Sequence, residues 1–318
     1  MRTQRPWARA ALIFSAALLS TAAQAAPSQI VAFGDSLVDD GNIPVLTGFT
    51  FPGAPYVGAR FSNGPVSVEI MAQSLGLSLD DRAVGGAYSG LGNRLADANP
   101  GTLSAIANTG TRQQIDFYIN QQGGTLDSNA LYFIWAGGND FFTKPEAATV
   151  STVITNLAND VKTLYLAGAR NFFIPNLPDL ATTAVSIQAG GAVQAGANQL
   201  TLAFNSNLKS NLNVLETKLA GADIEVYDAY SFLTTLRNGY AAEGWNVTQP
   251  CVVAGVACAD PSRYYLWDNV HPTAGVHNAI GKAMAASVTA VPEPESWALG
   301  LVGAMAVGVA ARRRRANA

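Results

Sequence analysis

Histidine and cysteine are scarce in this chain, at two residues each among 318, and the scarcity narrows the available chemistry. The cysteines, Cys251 and Cys258, sit in "QPCVVAGVACADP" with no histidine or second cysteine pair at ligand spacing. A metal site is therefore not expected. In an exported protein such an even, closely spaced pair is expected to form a disulfide that pins a short loop. Charge is also low, with 13% Asp, Glu, Lys and Arg against 49% hydrophobic residues and a mean hydropathy of +0.16. Such a chain is too apolar for disorder and long enough to bury one large core. Between residues 28 and 290 there is no repeat, low-complexity block or proline-rich linker. That segment reads as one domain.

The two ends are set apart from it. Residues 1–25 carry Arg2, Arg5 and Arg9, then the apolar run "AALIFSAALLS", then Ala23 and Ala25 at small-residue positions. This is the pattern of a secretory signal peptide cleaved after Ala25. The alternative, an uncleaved anchor helix, needs a longer apolar run, because a bilayer span takes ~20 residues. Residues 291–318 read "VPEPESWALGLVGAMAVGVAARRRRANA". A short apolar helix closed by Arg312 to Arg315 suits a tail held transiently in a membrane with its arginines on the cytoplasmic side. With Pro292, Glu293 and Pro294, this stretch resembles the PEP-CTERM sorting signal of exopolysaccharide-producing Gram-negative bacteria. The resemblance implies export, with signal peptidase and an exosortase as processing partners. It places the protein in the periplasm, at the cell surface or in the extracellular matrix.

Without the two ends, 12 basic and 20 acidic residues remain, a net charge of −8. An acidic domain with no basic patch excludes nucleic acid as a partner, since phosphate contacts need clustered Lys and Arg.

Apolar runs and helical spacing alternate through the domain. "QIVAF" (29–33), "LSLDDRAV" (77–84), "ALYFIWAGGND" (130–140), "NFFIPNLP" (171–178) and "IEVYDA" (224–229) read as strands or strands with their exit turns. Residues 147–167 have helical spacing, and Gly168 is placed to stop that helix. Further helices are expected over 190–219 and 273–288. The long segments 41–75 and 88–112 read as loops. Alternating strands and helices imply an α/β fold with a mainly parallel sheet covered on both faces. Active groups in such folds gather at the carboxyl ends of the strands.

The polar motifs fall at those ends. Ser36 in "FGDSLVDDGN" follows the first strand, Gly85 and Gly86 in "AVGGA" the second, and Asn139 in "GGND" the third. A serine nucleophile needs a base in contact, an acid behind that base, and donors for the developing oxyanion. With only two histidines the base is quickly sought. His271 has Asp268 three positions before it in "DNVH", close enough for a carboxylate to reach the imidazole in a turn. His277 falls within the following helix and reads as a surface or packing residue. Asp35 reads as a cap for a helix after Ser36, and Trp267 as a packing residue.

Taken in order, "FGDSL", "AVGGA", "GGND" and "DNVH" resemble the GDSL family of esterases and lipases, also called SGNH hydrolases. The resemblance spans about residues 29–288. It implies a flavodoxin-like, doubly wound sheet with Ser36 as nucleophile, His271 as general base and Asp268 as its orienting acid. It also implies an oxyanion hole made by the N–H of Ser36, the N–H of Gly85 (or of adjacent Gly86) and the side-chain amide of Asn139. Asp81 stands where many members have asparagine, which touches only local loop hydrogen bonds. Asp39 and Asp40 after the serine, and "YLWD" before Asp268, are similar to the subgroup with bacterial phospholipase and hemolysin-like members.

The expected function is an exported carboxylic ester hydrolase that needs no metal or organic cofactor. Its substrate is a small-molecule, lipid or carbohydrate ester. Alternatives on the same fold are an acyltransferase, a polysaccharide deacetylase, or a non-catalytic surface or matrix protein.

Overall fold

In the computed structural model, which describes residues 26–289, five segments make the central sheet. They are β1 (Ile30–Gly34), β2 (Leu79–Asp81), β3 (Leu131–Trp135), β4 (Asn171–Pro175) and β5 (Asp223–Tyr227). All pair in parallel, in the order β2-β1-β3-β4-β5. This is the doubly wound, flavodoxin-like order. Among the described residues ten α-helices accompany them. Those before β3 are α1 (Ile43–Thr47), α2 (Ser67–Leu75), α3 (Arg94–Ala98) and α4 (Thr111–Gln121). Next come α5 (Gly138–Thr143), α6 (Ala147–Leu166), α7 (Ala184–Ala189), α8 (Gly191–Glu216), α9 (Ala229–Ala242) and α10 (Ala274–Thr289).

The continuous apolar runs of β1 and β3 are explained by burial on both faces. Successive side chains point to opposite sides of a strand, and each side has its own core. Val31, Phe33, Tyr132 and Ile134 pack under α4, α6 and α8. Ile30, Ala32, Phe133 and Trp135 pack on the other side, under α2, α9 and α10. Phe133 is fully buried and stacks on Phe173 with ring centroids 5.7 Å apart. Truncating such a ring to alanine costs about 3–5 kcal/mol.

Helix boundaries follow local chemistry. The α6 helix ends before Gly168, whose φ of +121° is a conformation glycine adopts freely. The expected long helix begins after Gly190 and runs from Gly191 to Glu216. Only α6, α8 and α10 answer to helices expected from the sequence; the other seven do not. The α1 and α2 helices lie in one segment expected to be loop, α3 lies in and α4 begins within the other, and α5, α7 and α9 follow β3, β4 and β5. A further sheet, β6 (Asn246–Pro250) paired in parallel with β9 (Tyr264–Leu266), was also not foreseen.

Between those two strands, β7 (Val252–Val253) and β8 (Val256–Ala257) form a hairpin. Ala254 and Gly255 take positive φ in its turn, as a tight hairpin requires. Cys251 and Cys258 flank the hairpin and are disulfide-bonded, with Cα atoms 4.9 Å apart. The expected short, stapled loop is present. Among the described residues no helix is long and apolar enough to cross a membrane. The leader 1–25 and the tail 291–318 lie outside the described residues.

The parallel register sets Gly34 beside Trp135, so β1 and β3 end level with each other. The segments after β1, β2 and β3 therefore emerge along one edge of the sheet. Ser36, the Gly85–Gly86 pair and Asn139 belong to those segments.

Candidate active site

Ser36 lies in a tight turn and starts no helix; the next helix, α1, begins at Ile43. The N–H groups of Val38 and Asp39 donate to the Asp35 carbonyl at 3.0 Å, and Leu37 N–H donates to Asp35 Oδ1 at 3.0 Å. Asp35 thus caps a turn, which corrects the expectation of a helix at this point. The turn puts the Ser36 hydroxyl where the segment after β9 can reach it. His271 Nε2 is 2.6 Å from Ser36 Oγ although the two residues are 235 positions apart. On the far side of the imidazole, Nδ1 lies 2.8 Å from Asp268 Oδ2 and 2.9 Å from Oδ1.

Those contacts fix the imidazole tautomer. A carboxylate only accepts, so Nδ1–H donates to Asp268 and unprotonated Nε2 accepts from the Ser36 hydroxyl. Asp268 is fixed in turn, because its Oδ1 accepts the N–H groups of Val270 and His271 at 2.8 Å each. Burial alone would raise the Asp268 carboxyl. The facing His271 and these donors outweigh it and hold the group down at about 2. Burial also disfavours a charged His271, but ionised Asp268, reinforced by Asp35, outweighs burial and raises the imidazole above its ordinary value. His277 is buried, where sequence left open a surface position. Its Nδ1 accepts Ser67 N–H at 3.1 Å, and burial lowers it to about 3. It stays neutral and acts as packing, as does buried Trp267.

The donors for a developing oxyanion need one correction. The N–H of Gly85 is already engaged, donating to buried Asp39 Oδ2 at 2.7 Å. A Cβ at Gly85 would overlap the Phe61 ring, so this glycine is needed for close packing. Gly86 is the neighbouring alternative. It lines the same cavity as Ser36, Asn139 and His271, which Gly85 does not. Among the described residues no acceptor takes the N–H of Gly86 or of Ser36. The Asn139 side-chain amide lines the cavity too and donates to Ala87 O at 3.1 Å and to Asp35 Oδ2 at 3.3 Å.

Asp39 belongs to the opening motif, and sequence assigned it no task. Its Oδ1 accepts the N–H groups of Gly41 and Asn42 at 2.8 and 2.6 Å, while Oδ2 holds Gly85. Burial pushes this carboxyl up to about 6, against the pull of those three donors. Phe61 was missed as well: it packs on the His271 ring with centroids 5.1 Å apart. The cavity holds about 100 Å³. A second, largely apolar cavity of about 370 Å³ shares Phe142 and Leu180 with it. Among the described residues no group of three metal-ligating side chains is assembled.

The family described as "GDSL-like Lipase/Acylhydrolase" matches residues 30–284. A GDSL esterase/lipase of Arabidopsis thaliana is 30% identical over 294 residues, covering 78% of this chain and 85% of its own. The thermolabile hemolysin of Vibrio parahaemolyticus is 27% identical, over 81% of this chain and 63% of its own length. A phosphatidylcholine-sterol acyltransferase of Aeromonas hydrophila is 26% identical over 85% of this chain and 93% of its own.

Proposed function

The chain belongs to the GDSL-like lipase/acylhydrolase family and is a carboxylic ester hydrolase, and from that premise we propose that it is exported and works by acyl transfer through Ser36. The observation that carries the reading is the 2.6 Å contact of Ser36 Oγ with His271 Nε2, while Nδ1 is held on Asp268. His271 takes the hydroxyl proton as Ser36 Oγ attacks the ester carbonyl. The tetrahedral oxyanion is met by the N–H groups of Ser36 and Gly86 and by the Asn139 amide. As the C–O bond breaks, His271 returns its proton to the leaving alcohol and an acyl-serine remains. Water then repeats the cycle: His271 accepts its proton, the hydroxide adds to the acyl carbon, and Ser36 leaves with the proton returned. Asp268 stays ionised throughout and orients the imidazole.

Replacing Ser36 by Ala tests this reading on short-chain aryl esters. Turnover is expected to fall to background, whereas turnover equal to the wild type would remove the proposal. Transfer of the acyl group to an acceptor alcohol instead of water is the second reading, favoured by the similarity to the Aeromonas acyltransferase. Acyl transfer to an added alcohol at the expense of free acid would select it.

Export rests on the leader 1–25 and the PEP-CTERM-like tail 291–318. The Cys251–Cys258 disulfide supports it, because such bonds persist in oxidising compartments. The proposed location is the periplasm, cell surface or extracellular matrix, reached through signal peptidase and an exosortase.

A further inference from the structure

Asp268 accepts a hydrogen bond that the transfer of a proton between Ser36 and His271 does not itself require. The hydroxyl of Tyr56 donates to Asp268 Oδ2 at 2.8 Å, across 212 positions of sequence. Oδ2 is also the oxygen 2.8 Å from His271 Nδ1. Oδ1 is the oxygen that takes the two backbone N–H groups. One carboxylate oxygen is thus anchored to its own turn, and the other is shared between the base and a tyrosine from elsewhere in the fold.

The tyrosine is firmly held. It lies in the connection between α1 and α2, which is tied to the His271 segment at two further points. Ser62 Oγ donates to the Pro272 carbonyl at 2.9 Å, and Asn63 Oδ1 accepts the Ala274 N–H at 2.7 Å. The Tyr56 ring meets Trp267 and Phe61 edge-on, with centroids 6.2 and 6.4 Å away. Phe61 in turn covers the His271 ring. Burial, with Asp268 alongside, pushes the Tyr56 hydroxyl well above its ordinary value. It remains a donor wherever the enzyme is folded and active.

We propose that Tyr56 is a positioning residue of the reaction: its hydroxyl fixes Asp268 against His271 and takes a share of the carboxylate charge, limiting the pull of Asp268 on the imidazole proton. This inference rests on the proposed roles of Ser36, His271 and Asp268. The charged and titratable groups facing His271 are Asp268, Asp35 from the β1 turn and Arg94 from α3, with His277 of α10 neutral nearby. Tyr56 acts on the first of these. An ionised Asp268 stabilises the imidazolium, and a hydrogen bond donated to Asp268 weakens that stabilisation. Removing the hydroxyl therefore lets His271 keep its proton to higher pH. Attack by Ser36 needs neutral His271, so the acid limb of kcat/KM moves upward.

The experiment is the pH dependence of kcat/KM for a short-chain aryl ester, measured on the full chain. Tyr56→Phe keeps the ring and removes the donor. The expected result is an acid limb displaced upward by about half a pH unit, with a plateau kcat about three- to tenfold lower and KM little changed. Incorporating 3-fluorotyrosine at position 56 keeps the ring and sharpens the donor, so its limb moves to lower pH. That protein decides the matter alone if Tyr56→Phe does not fold. Acid limbs coincident with the wild type, or displaced in the opposite directions, overturn the proposal whatever the rate, because lost packing lowers the rate without moving the limb. Ser36→Ala separates this failure from the other: background turnover with unmoved limbs sinks the role of Tyr56 alone, and retained turnover sinks the reading beneath it.

Discussion

Ser36, His271 and Asp268 were legible because each sits in a short motif, and a base three residues after an acid needs only a turn to meet it. The donors were harder to read. Gly85 and Gly86 are chemically identical neighbours, and choosing between them depends on where the Asp39 carboxylate lies, 46 positions earlier. The contact also gives the acids of "GDSLVDDGN" their meaning, since Asp39 ties the turn after β1 to the turn after β2. Asn139 was legible by type but not by its partners, Ala87 and Asp35. Losing one preorganised oxyanion donor costs ~10²–10³ in kcat. Asn139→Ala is expected to show that loss on a short aryl ester, nearly as severe as loss of His271. A variant retaining more than about a tenth of wild-type kcat would remove Asn139 from the hole.

Elements reveal themselves in sequence when their partners are apolar. Strands β1, β3 and β4 were read from continuous apolar runs, and α6 from its spacing. The α4 helix was not, because one of its buried residues is Gln114, whose amide bridges the N–H and C=O of Gly34 at 3.0 and 2.8 Å. A helix that buries a glutamine against a strand end shows little apolar stripe. Likewise β6 and β9 are a parallel pair of short strands, so neither announces the other locally. The turn after β2 depends on one glycine. Gly86 has φ +83°, and a Cβ there would lie 2.6 Å from both Asn93 Oδ1 and Leu95 Cγ. Asn93 also caps α3 through the N–H groups of Leu95 and Ala96, so it cannot simply move aside. Gly86→Ala is expected to displace the Gly86 N–H and lower kcat at least tenfold, since about 1.4 kcal/mol of strain or lost donation suffices for that factor. Steady-state kinetics on the folded variant check it, and unchanged kcat would return the donor's place to Gly85.

At the scale of the whole molecule, fold class was the most legible feature, since alternating strands and helices leave few ways to cover a parallel sheet. The chain beyond that sheet carries its own prediction. The described residues hold the complete constellation of Ser36, Gly86, Asn139, Asp268 and His271, so residues 292–318 are not needed for chemistry on the proposed reading. Deleting them is expected to leave an active enzyme in the soluble exported fraction. Retention of the truncated protein with the membrane, or loss of its activity, would show that the tail does more than sorting. If Ser36 is the nucleophile, a reagent that captures activated serines marks it covalently. After treatment with a fluorophosphonate probe, peptide mass spectrometry is predicted to find a single adduct on Ser36, appearing in step with loss of esterase activity and absent from Ser36→Ala. An adduct elsewhere that accompanies inactivation, or full inactivation with Ser36 unlabelled, would contradict the account.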